Sequence, residues 1–306
     1  MTKRFAVVLV SELVVTAALL TVALDVQLHH KFASFGAVNM WGYRGPVMPA
    51  RKPPELRIAV VGGTFAYGWG VEAEHTLAGY LRQLVSVALN QAGQPPIRVT
   101  AANLAGIDIR PADYTERIRR YAYLAPDLVC IEPDPPVENA PLRHGTPERS
   151  GVFALTGYMP ALPLVLAEKG RVMGTGSLAR ATAGAGEALD TIDLALKVAA
   201  GEPFELNVDY VDALAEAVTA ALAVSKFVIV VMPPRRSALD RDALDEDAVE
   251  LARRLSLEPR VRVVDLRSVP EMDDDALWLN RIALGAGGHA ATAYLVAPTV
   301  LELVRH

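Results

Sequence analysis

The sequence predicts an α/β protein, with a five-stranded parallel sheet flanked by helices on both faces and one transmembrane helix before it. Short apolar segments rich in β-branched residues alternate with segments whose apolar residues recur at helical spacing. A separate, long apolar run lies near the N-terminus. The alternation is typical of parallel sheets covered on both faces, in which sites form at the carboxyl ends of the strands.

The apolar run covers residues 5–24, and its 20 residues are about what a helix needs to cross a bilayer. Burying its aliphatic and aromatic side chains is worth about −5 kcal/mol, against about +3 for its one ionisable residue, Glu12. Lys3 and Arg4 precede the run, so the positive-inside rule keeps the N-terminus in the cytoplasm. We expect an uncleaved signal-anchor in a cell inner membrane, with a periplasmic or extracellular soluble domain. A cleaved signal peptide is the alternative, although the run exceeds the usual length.

The predicted organisation is an anchor at 1–28, a connector on the domain surface at 29–55 and the α/β domain at 56–306. The predicted strands are 57–61, 97–102, 127–131, 227–232 and 261–266, and the predicted helices are 77–90, 112–122, 211–224, 242–255 and 290–304.

An irregular insert interrupts this alternation at about 135–205. Its apolar stretch at 152–167 contains two prolines and is too short and broken to span a membrane. We expect it to cover the core, and a position at the membrane surface is the alternative. Glu12 and this stretch are the candidate contacts with a membrane-protein partner, although Glu12 could equally be a tolerated residue that snorkels or is protonated.

Composition excludes several classes of function. With 30 Lys and Arg against 35 Asp and Glu, the net charge of −5 provides no basic field for nucleic acid. A single cysteine, Cys130, excludes an internal disulfide and a cysteine-rich metal site. The six histidines show no metal-ligand spacing, so we expect no metal and no cofactor.

The region 39–71 contains a specific motif series. It reads NMWGYRGP, then Lys52-Pro53, then RIAVVGGTFAYGWGV. This series resembles the membrane-anchored branch of the SGNH or GDSL hydrolase family, which reads N-S-x-G-F-R-G-P, Lys-Pro and R-I-x-x-x-G-D-S-F-T-x-G-x-G-V. Shorter similarities occur at 103–106, at 125–129 and at Gly288-His289. The resemblance covers roughly 39–140 and 205–304, and it implies a flavodoxin-like, three-layer sheet.

The resemblance also implies a serine-hydrolase site, but this sequence departs from the family at most catalytic positions. Thr64 stands at the nucleophilic serine, Pro136-Val137 at the asparagine and aspartate of the third block, and Asn280, Ala283 and Gly285 at the aspartate, histidine and asparagine near the C-terminus. Gly106 retains the glycine of the second block. Because catalytic residues of this kind act as a unit, we expect little hydrolysis and predict a binding or complex-assembly module.

We expect the old site to be rimmed by glycines and aromatic residues. The candidate binding residues are Gly62, Gly63, Gly106, Tyr67 and Trp69. The alternative is that side chains fill the cleft and interactions occur elsewhere.

The functional alternative is an esterase or acyltransferase acting on cell-envelope glycan or lipid. Thr64 would be its nucleophile and a displaced His289 its base, oriented by one of the aspartates at 273–275. A capping or packing role is the other interpretation of His289.

Overall fold

The computed structural model describes residues 3–32, 38–68, 70–91, 95–106, 109–134, 151–162, 210–234, 249–251, 253–255, 257–267, 269–280 and 283–305. The main sheet comprises β1 (Glu55–Gly62), β2 (Arg98–Asn103), β3 (Leu128–Glu132), β4 (Phe227–Met232) and β5 (Val261–Asp265). The helices are α1 (Lys3–Phe32), α2 (Thr64–Tyr67), α3 (Leu77–Leu89), α4 (Pro111–Arg120), α5 (Gly151–Thr156), α6 (Tyr210–Val224) and α7 (Ala286–Arg305). A short antiparallel pair, β6 (Trp278–Asn280) and β7 (Ala283–Leu284), precedes α7.

The five strands form one parallel sheet in the order β2-β1-β3-β4-β5. This is the order of flavodoxin-like, doubly wound sheets, so the predicted fold class is confirmed. β1 lies between β2 and β3, and its carboxyl end at Gly62 pairs with Glu132 of β3. The ends of the first three strands therefore meet at one edge of the sheet.

Two hydrophobic cores lie on opposite faces of the sheet. Along β1, Ala59 and Val61 belong to the core under α4 and α6, whereas Ile58 and Val60 belong to the core under α3 and α7. Every residue of β1 is buried. Because both faces are covered, the central part of β1, residues 58–61, is a continuous apolar run. The two charged residues near its start, Glu55 and Arg57, form an ion pair with each other.

The predicted strands are found within two residues of their expected bounds. The last helix begins at Ala286 instead of 290, because Gly287 and Gly288 continue it. Of the helix expected at 242–255, residues 249–251 and 253–255 are helical, and the rest lies outside the described residues. The β6–β7 pair was not predicted, since two or three residues per strand give no readable periodicity.

The N-terminal helix α1 meets the requirements for a membrane span. Within it, Val7–Lys31 is long and apolar enough to cross a bilayer, with a mean hydropathy of 2.4, and no described part of the chain buries its apolar surface. The helix continues to Phe32, beyond the expected end at 28, and its last turn carries His29, His30 and Lys31. Basic groups there favour the negative end of the helix dipole.

The end of α1 is joined to the insert by polar contacts. Asp25 accepts a hydrogen bond from the Leu162 amide at 2.6 Å and another from the Tyr158 hydroxyl. Nε2 of His29 lies 2.7 Å from the carbonyl oxygen of Met159. Both Asp25 and His29 are buried. We call these contacts the anchor clamp.

The connector lies on the domain surface only in part: residues 46–54 are mostly exposed, whereas Asn39, Tyr43 and Arg44 of its motif are buried. The Arg44 guanidinium donates to the carbonyl oxygens of Tyr67, Gly68 and Val71. It thus fixes the turn that follows α2 from outside the sheet. A single arginine is suited to this task because it offers five N–H donors in a planar fork.

We expect Arg44→Lys to lower the free energy of unfolding by about 2–3 kcal/mol, because a lysine ammonium cannot satisfy three carbonyl groups in this geometry. Urea titration of the chain in detergent micelles, followed by tryptophan fluorescence, measures the difference. Arg305→Lys, at the exposed end of α7, is the matched control and should change stability by less than about 0.5 kcal/mol. Equal stability of the two variants would refute the structural role of Arg44.

Candidate functional site

The candidate site lies at the carboxyl edge of the sheet, where β1 turns into α2. Thr64 is the first residue of α2 and is half-buried. Gly62 makes this turn possible, because a Cβ there would lie 2.1 Å from the carbonyl oxygen of Glu132. The chain can therefore turn directly from β1 into α2 only with glycine at 62. This places the Thr64 hydroxyl at the strand ends, as the motif implied.

An aspartate that the sequence analysis did not select dominates the site. Oδ2 of Asp134 accepts the backbone N–H of Thr64 at 2.8 Å, and Oδ1 accepts that of Phe65 at 2.8 Å. The Thr64 side chain also lowers the pKa of this carboxyl group. The Tyr210 hydroxyl, from α6, donates to the Asp134 carbonyl oxygen at 2.9 Å. Asp134 is thus held in place from both its side chain and its backbone.

Gly63 leaves the space that the Asp134 carboxylate occupies. A Cβ on Gly63 would lie 2.1 Å from Oδ2 of Asp134. The family motif has aspartate at position 63, but here the carboxylate comes from the end of β3 instead. The glycine and the distant aspartate are therefore complementary features of this chain.

This arrangement opposes hydrolase chemistry at Thr64. In a serine-hydrolase site the backbone N–H of the nucleophile is free to stabilise the oxyanion of the tetrahedral intermediate. Here that N–H already donates to a carboxylate. An ionised Asp134 would also repel a developing negative charge at short range. Two requirements of the reaction, a free donor and a positive potential, are both unmet.

A second carboxyl group lies behind Asp134. Glu132 is fully buried, and neither of its oxygens has a hydrogen-bond partner among the described residues. Burial, together with the charge of Asp134, raises the pKa of Glu132 to about 8. Burial also raises the pKa of Asp134 to about 6, although the hydrogen bonds from Phe65 and Thr64 oppose it. At neutral pH the stable pairing is a protonated Glu132 beside an ionised Asp134.

In the second motif block, residues 103–106, the hydrogen-bonding groups described below bond to neighbouring backbone and are not left free for a ligand. The amide of Gly106 donates to the carbonyl oxygen of Gly62 at 3.1 Å. The Asn103 side chain donates to the Ala66 carbonyl oxygen at 2.9 Å and accepts from the Ala105 amide at 3.0 Å. The backbone N–H of Gly106 is therefore engaged within the fold and is not available to an oxyanion.

His289 is not joined to Thr64 by a hydrogen bond. It lies fully buried in the first turn of α7, and neither ring nitrogen has a partner within the described part of the chain. Its Nε2 faces the turn after α2, 3.1 Å from where a Cβ on Gly68 would stand. Burial and the charge of Arg44 lower the pKa of His289 to about 4. The neutral ring fits the packing interpretation of this residue.

Of the remaining predicted residues, Tyr67 is on α2 with Thr64 and Ala283 is on the neighbouring β7, whereas Trp69 lies outside the described residues. Tyr67 is buried, with the Arg44 guanidinium 4.8 Å from its ring centre. Ala283, at the histidine position, is part of β7. The neighbouring Trp278 packs edge-on against Phe65, with ring centres 5.8 Å apart, so an apolar contact covers α2 from this side.

The sequence carries a signal for Glu132 and Asp134 as acidic residues at a strand end, although not for the contact of Asp134 with Thr64. Both belong to the tetrapeptide Ile-Glu-Pro-Asp (131–134), at the end of a buried apolar strand. Parallel sheets carry their functional groups at such strand ends. Aligning the motif blocks directed attention to positions 136 and 137, beyond the described residues. Among the described residues, no cluster of three metal-ligating side chains occurs.

Comparison with known proteins gives similarity in fold alone. No protein-family model and no curated protein matches the sequence. Among solved structures, TesA is 14% identical with a TM-score of 0.44, and 81% of this chain and 99% of that one are covered. The psychrotrophic esterase EstA from Pseudoalteromonas sp. is 9% identical with a TM-score of 0.46, with coverage of 82% and 99%. The acetylxylan esterase Axe2 from Geobacillus stearothermophilus, as a catalytic mutant, is 13% identical with a TM-score of 0.42, with coverage of 81% and 94%.

Proposed function

We propose that this protein is a membrane-anchored, SGNH-like module that has lost hydrolase activity and acts in binding or complex assembly outside the cytoplasm. The main observation that supports a loss of hydrolase activity is the position of Asp134. Its carboxylate occupies the backbone donors of Thr64 and Phe65 on which a hydrolase of this type would depend.

The absence of a base supports the same conclusion. The group hydrogen-bonded to the Thr64 backbone is a carboxylate, that of Asp134, and His289 is neutral, buried and unpartnered among the described residues. Both oxygens of Asp134 accept backbone N–H groups, so this carboxylate is engaged in holding the turn and is not aligned as a general base for the Thr64 hydroxyl. Since the loss of the base alone costs on the order of a millionfold in comparable enzymes, the proposed site should give no measurable turnover.

The anchor clamp supports retention of α1 in the mature protein. Asp25 and His29 are built into the soluble domain through Tyr158, Met159 and Leu162. Cleavage at the end of the apolar run would leave Asp25 and His29 next to a new N-terminus, without the preceding turns of α1 that hold them in position. Retaining the helix keeps the domain at the membrane, which is what an assembly module requires.

Glu12 supports the assembly part of the proposal. It is exposed in the middle of the apolar run of α1, where no described element packs against it. An ionisable side chain in a membrane span typically faces a partner group or a water-filled cavity. We therefore propose that α1 pairs with a helix of another membrane protein through Glu12.

We predict that the purified full chain in detergent does not react with a fluorophosphonate probe and does not hydrolyse p-nitrophenyl acetate above the rate of its Thr64→Ala variant. An active serine esterase, treated in parallel, is the positive control for both assays. The physical reason is the missing base and the occupied oxyanion donors. A fluorophosphonate adduct on Thr64, or hydrolysis lost in Thr64→Ala, would favour the esterase or acyltransferase with His289 as base and refute the proposal.

A further inference from the structure

Apolar side chains are exposed on α5 and on the neighbouring connector. Leu155 is 87% exposed and Val152 is 51% exposed, although both lie on a helix whose Phe153 is buried. Trp41 is 39% exposed. We call Trp41, Val152 and Leu155 the interfacial face.

The domain holds this face in position. Two carbons of the Phe153 ring would lie 2.7 Å from a Cβ on Gly42, so α5 rests directly on the connector beside Trp41. The Arg120 guanidinium lies 5.4 Å from the centre of the Phe153 ring. The Tyr121 hydroxyl donates to the Trp41 carbonyl oxygen at 3.0 Å. Because Phe153 anchors one side of α5 and Tyr121 fixes the connector, the exposed apolar groups cannot turn inward.

The anchor clamp sets the height of this face relative to a membrane. Asp25 follows Leu24, the last residue of the apolar run, so it lies at the level where lipid tails give way to headgroups. Tyr158 and Leu162 bond to Asp25 and lie at the same level. Leu155 is three residues before Tyr158, and three residues span at most about 11 Å. The interfacial face therefore lies beside the exit point of α1 from the membrane.

We propose that the interfacial face inserts into the headgroup region of the bilayer in which α1 is anchored. The occupant is lipid because the face continues the apolar surface of α1 at the height where the hydrocarbon ends. Tryptophan is enriched at this level in membrane proteins, and burying exposed leucine and valine there is favourable. The inference rests on the proposed membrane anchor. It assigns α5 a second function, that of orienting the domain against the membrane surface.

Single-cysteine labelling tests this inference on the full chain in lipid nanodiscs. The native Cys130 is buried, so a fluorescent nitrobenzoxadiazole (NBD) group can be placed on Leu155→Cys without competition. Leu257→Cys is the matched control, because Leu257 is 85% exposed and precedes β5, at the opposite edge of the sheet from β2. Leu13→Cys reports on the anchor itself. The quencher is phosphatidylcholine carrying a doxyl group at carbon 5 for the interface or at carbon 12 for the bilayer centre.

We expect the probe at 155 to show blue-shifted emission and a loss of fluorescence with the carbon-5 quencher that is several times the loss at 257. The probe at 13 should lose fluorescence with the carbon-12 quencher. If the probe at 155 behaves like the probe at 257 while the probe at 13 is quenched, the interfacial face does not enter the bilayer, and the proposed membrane anchor is retained. If 13 is not quenched, the proposed anchor itself is wrong. A blue shift at 155 without lipid quenching would show that another protein covers α5, and would also overturn the inference.

Discussion

Replacing Glu132 by glutamine should raise the free energy of unfolding by about 3–4 kcal/mol at pH 8. The pKa of Glu132 is raised to about 8 in the folded protein, from an ordinary value of 4.5. The folded state therefore binds more protons than the unfolded chain between these two pH values, so stability falls as the pH rises through this window. Glutamine cannot ionise, which removes the cost of a buried charge. At pH 5 the expected gain shrinks to about 1 kcal/mol or less.

Urea titrations of the full chain in detergent at pH 5, 6, 7 and 8 measure this effect. The wild-type protein should lose stability steadily from pH 5 to 8, and Glu132→Gln should be nearly flat above pH 6. Below pH 6 the contributions of Asp134, whose pKa is raised to about 6, and of His289, whose pKa is lowered to about 4, have opposite signs and largely cancel. Glu116→Gln is the control, since its side chain is 66% exposed and should change stability by less than about 0.5 kcal/mol. A wild-type stability that is constant from pH 6 to 8 would contradict the buried-acid arrangement.

The sheet could be predicted because each of its strands is short, apolar and followed by a helix. The strand predicted at 227–232, for example, has the bounds that the structure gives. A strand covered on both faces is a continuous apolar run, so its two ends are visible in the sequence. Part of the connector was misplaced for a different reason. Arg44 looks like a surface residue in a sequence, and only the three carbonyl groups it meets after folding explain its burial. Such partners are distant along the chain and leave no periodic signal.

The candidate site could be predicted in part, for the same physical reason. Thr64 was located because the motif before it is local to one strand and one turn. Asp134 was not, because its contact with Thr64 spans 70 residues and depends on the glycine at 63. Local motifs reveal which residues have been lost from a site. They do not reveal which residue has taken the vacated space.

Gly63→Asp should destabilise the protein by about 4 kcal/mol, although it restores the residue of the family motif. Its Cβ would lie 2.1 Å from Oδ2 of Asp134 and 2.4 Å from the Asp134 Cγ, so the Asp134 carboxylate would have to leave the backbone N–H groups of Thr64 and Phe65. The variant would also bring two carboxylates together in a buried setting, where like charges are costly. Thermal unfolding of the full chain in detergent measures the loss. Gly151→Asp is the control, because a Cβ there would meet nothing within 4 Å.

The double variant Gly63→Asp with Asp134→Gly distinguishes a specific exchange from simple damage to the turn. If the carboxylate of Asp134 stands in for the one that the motif places at 63, the double variant should recover about half or more of the lost stability. That recovery is a coupling between positions that are far apart in sequence and in contact in space. Additive losses would mean that residue 63 is intolerant of any side chain. In the double variant the backbone N–H of Thr64 would also lose its hydrogen bond to the Asp134 carboxylate. It should nevertheless remain unreactive toward fluorophosphonate, because no histidine among the described residues is hydrogen-bonded to the threonine.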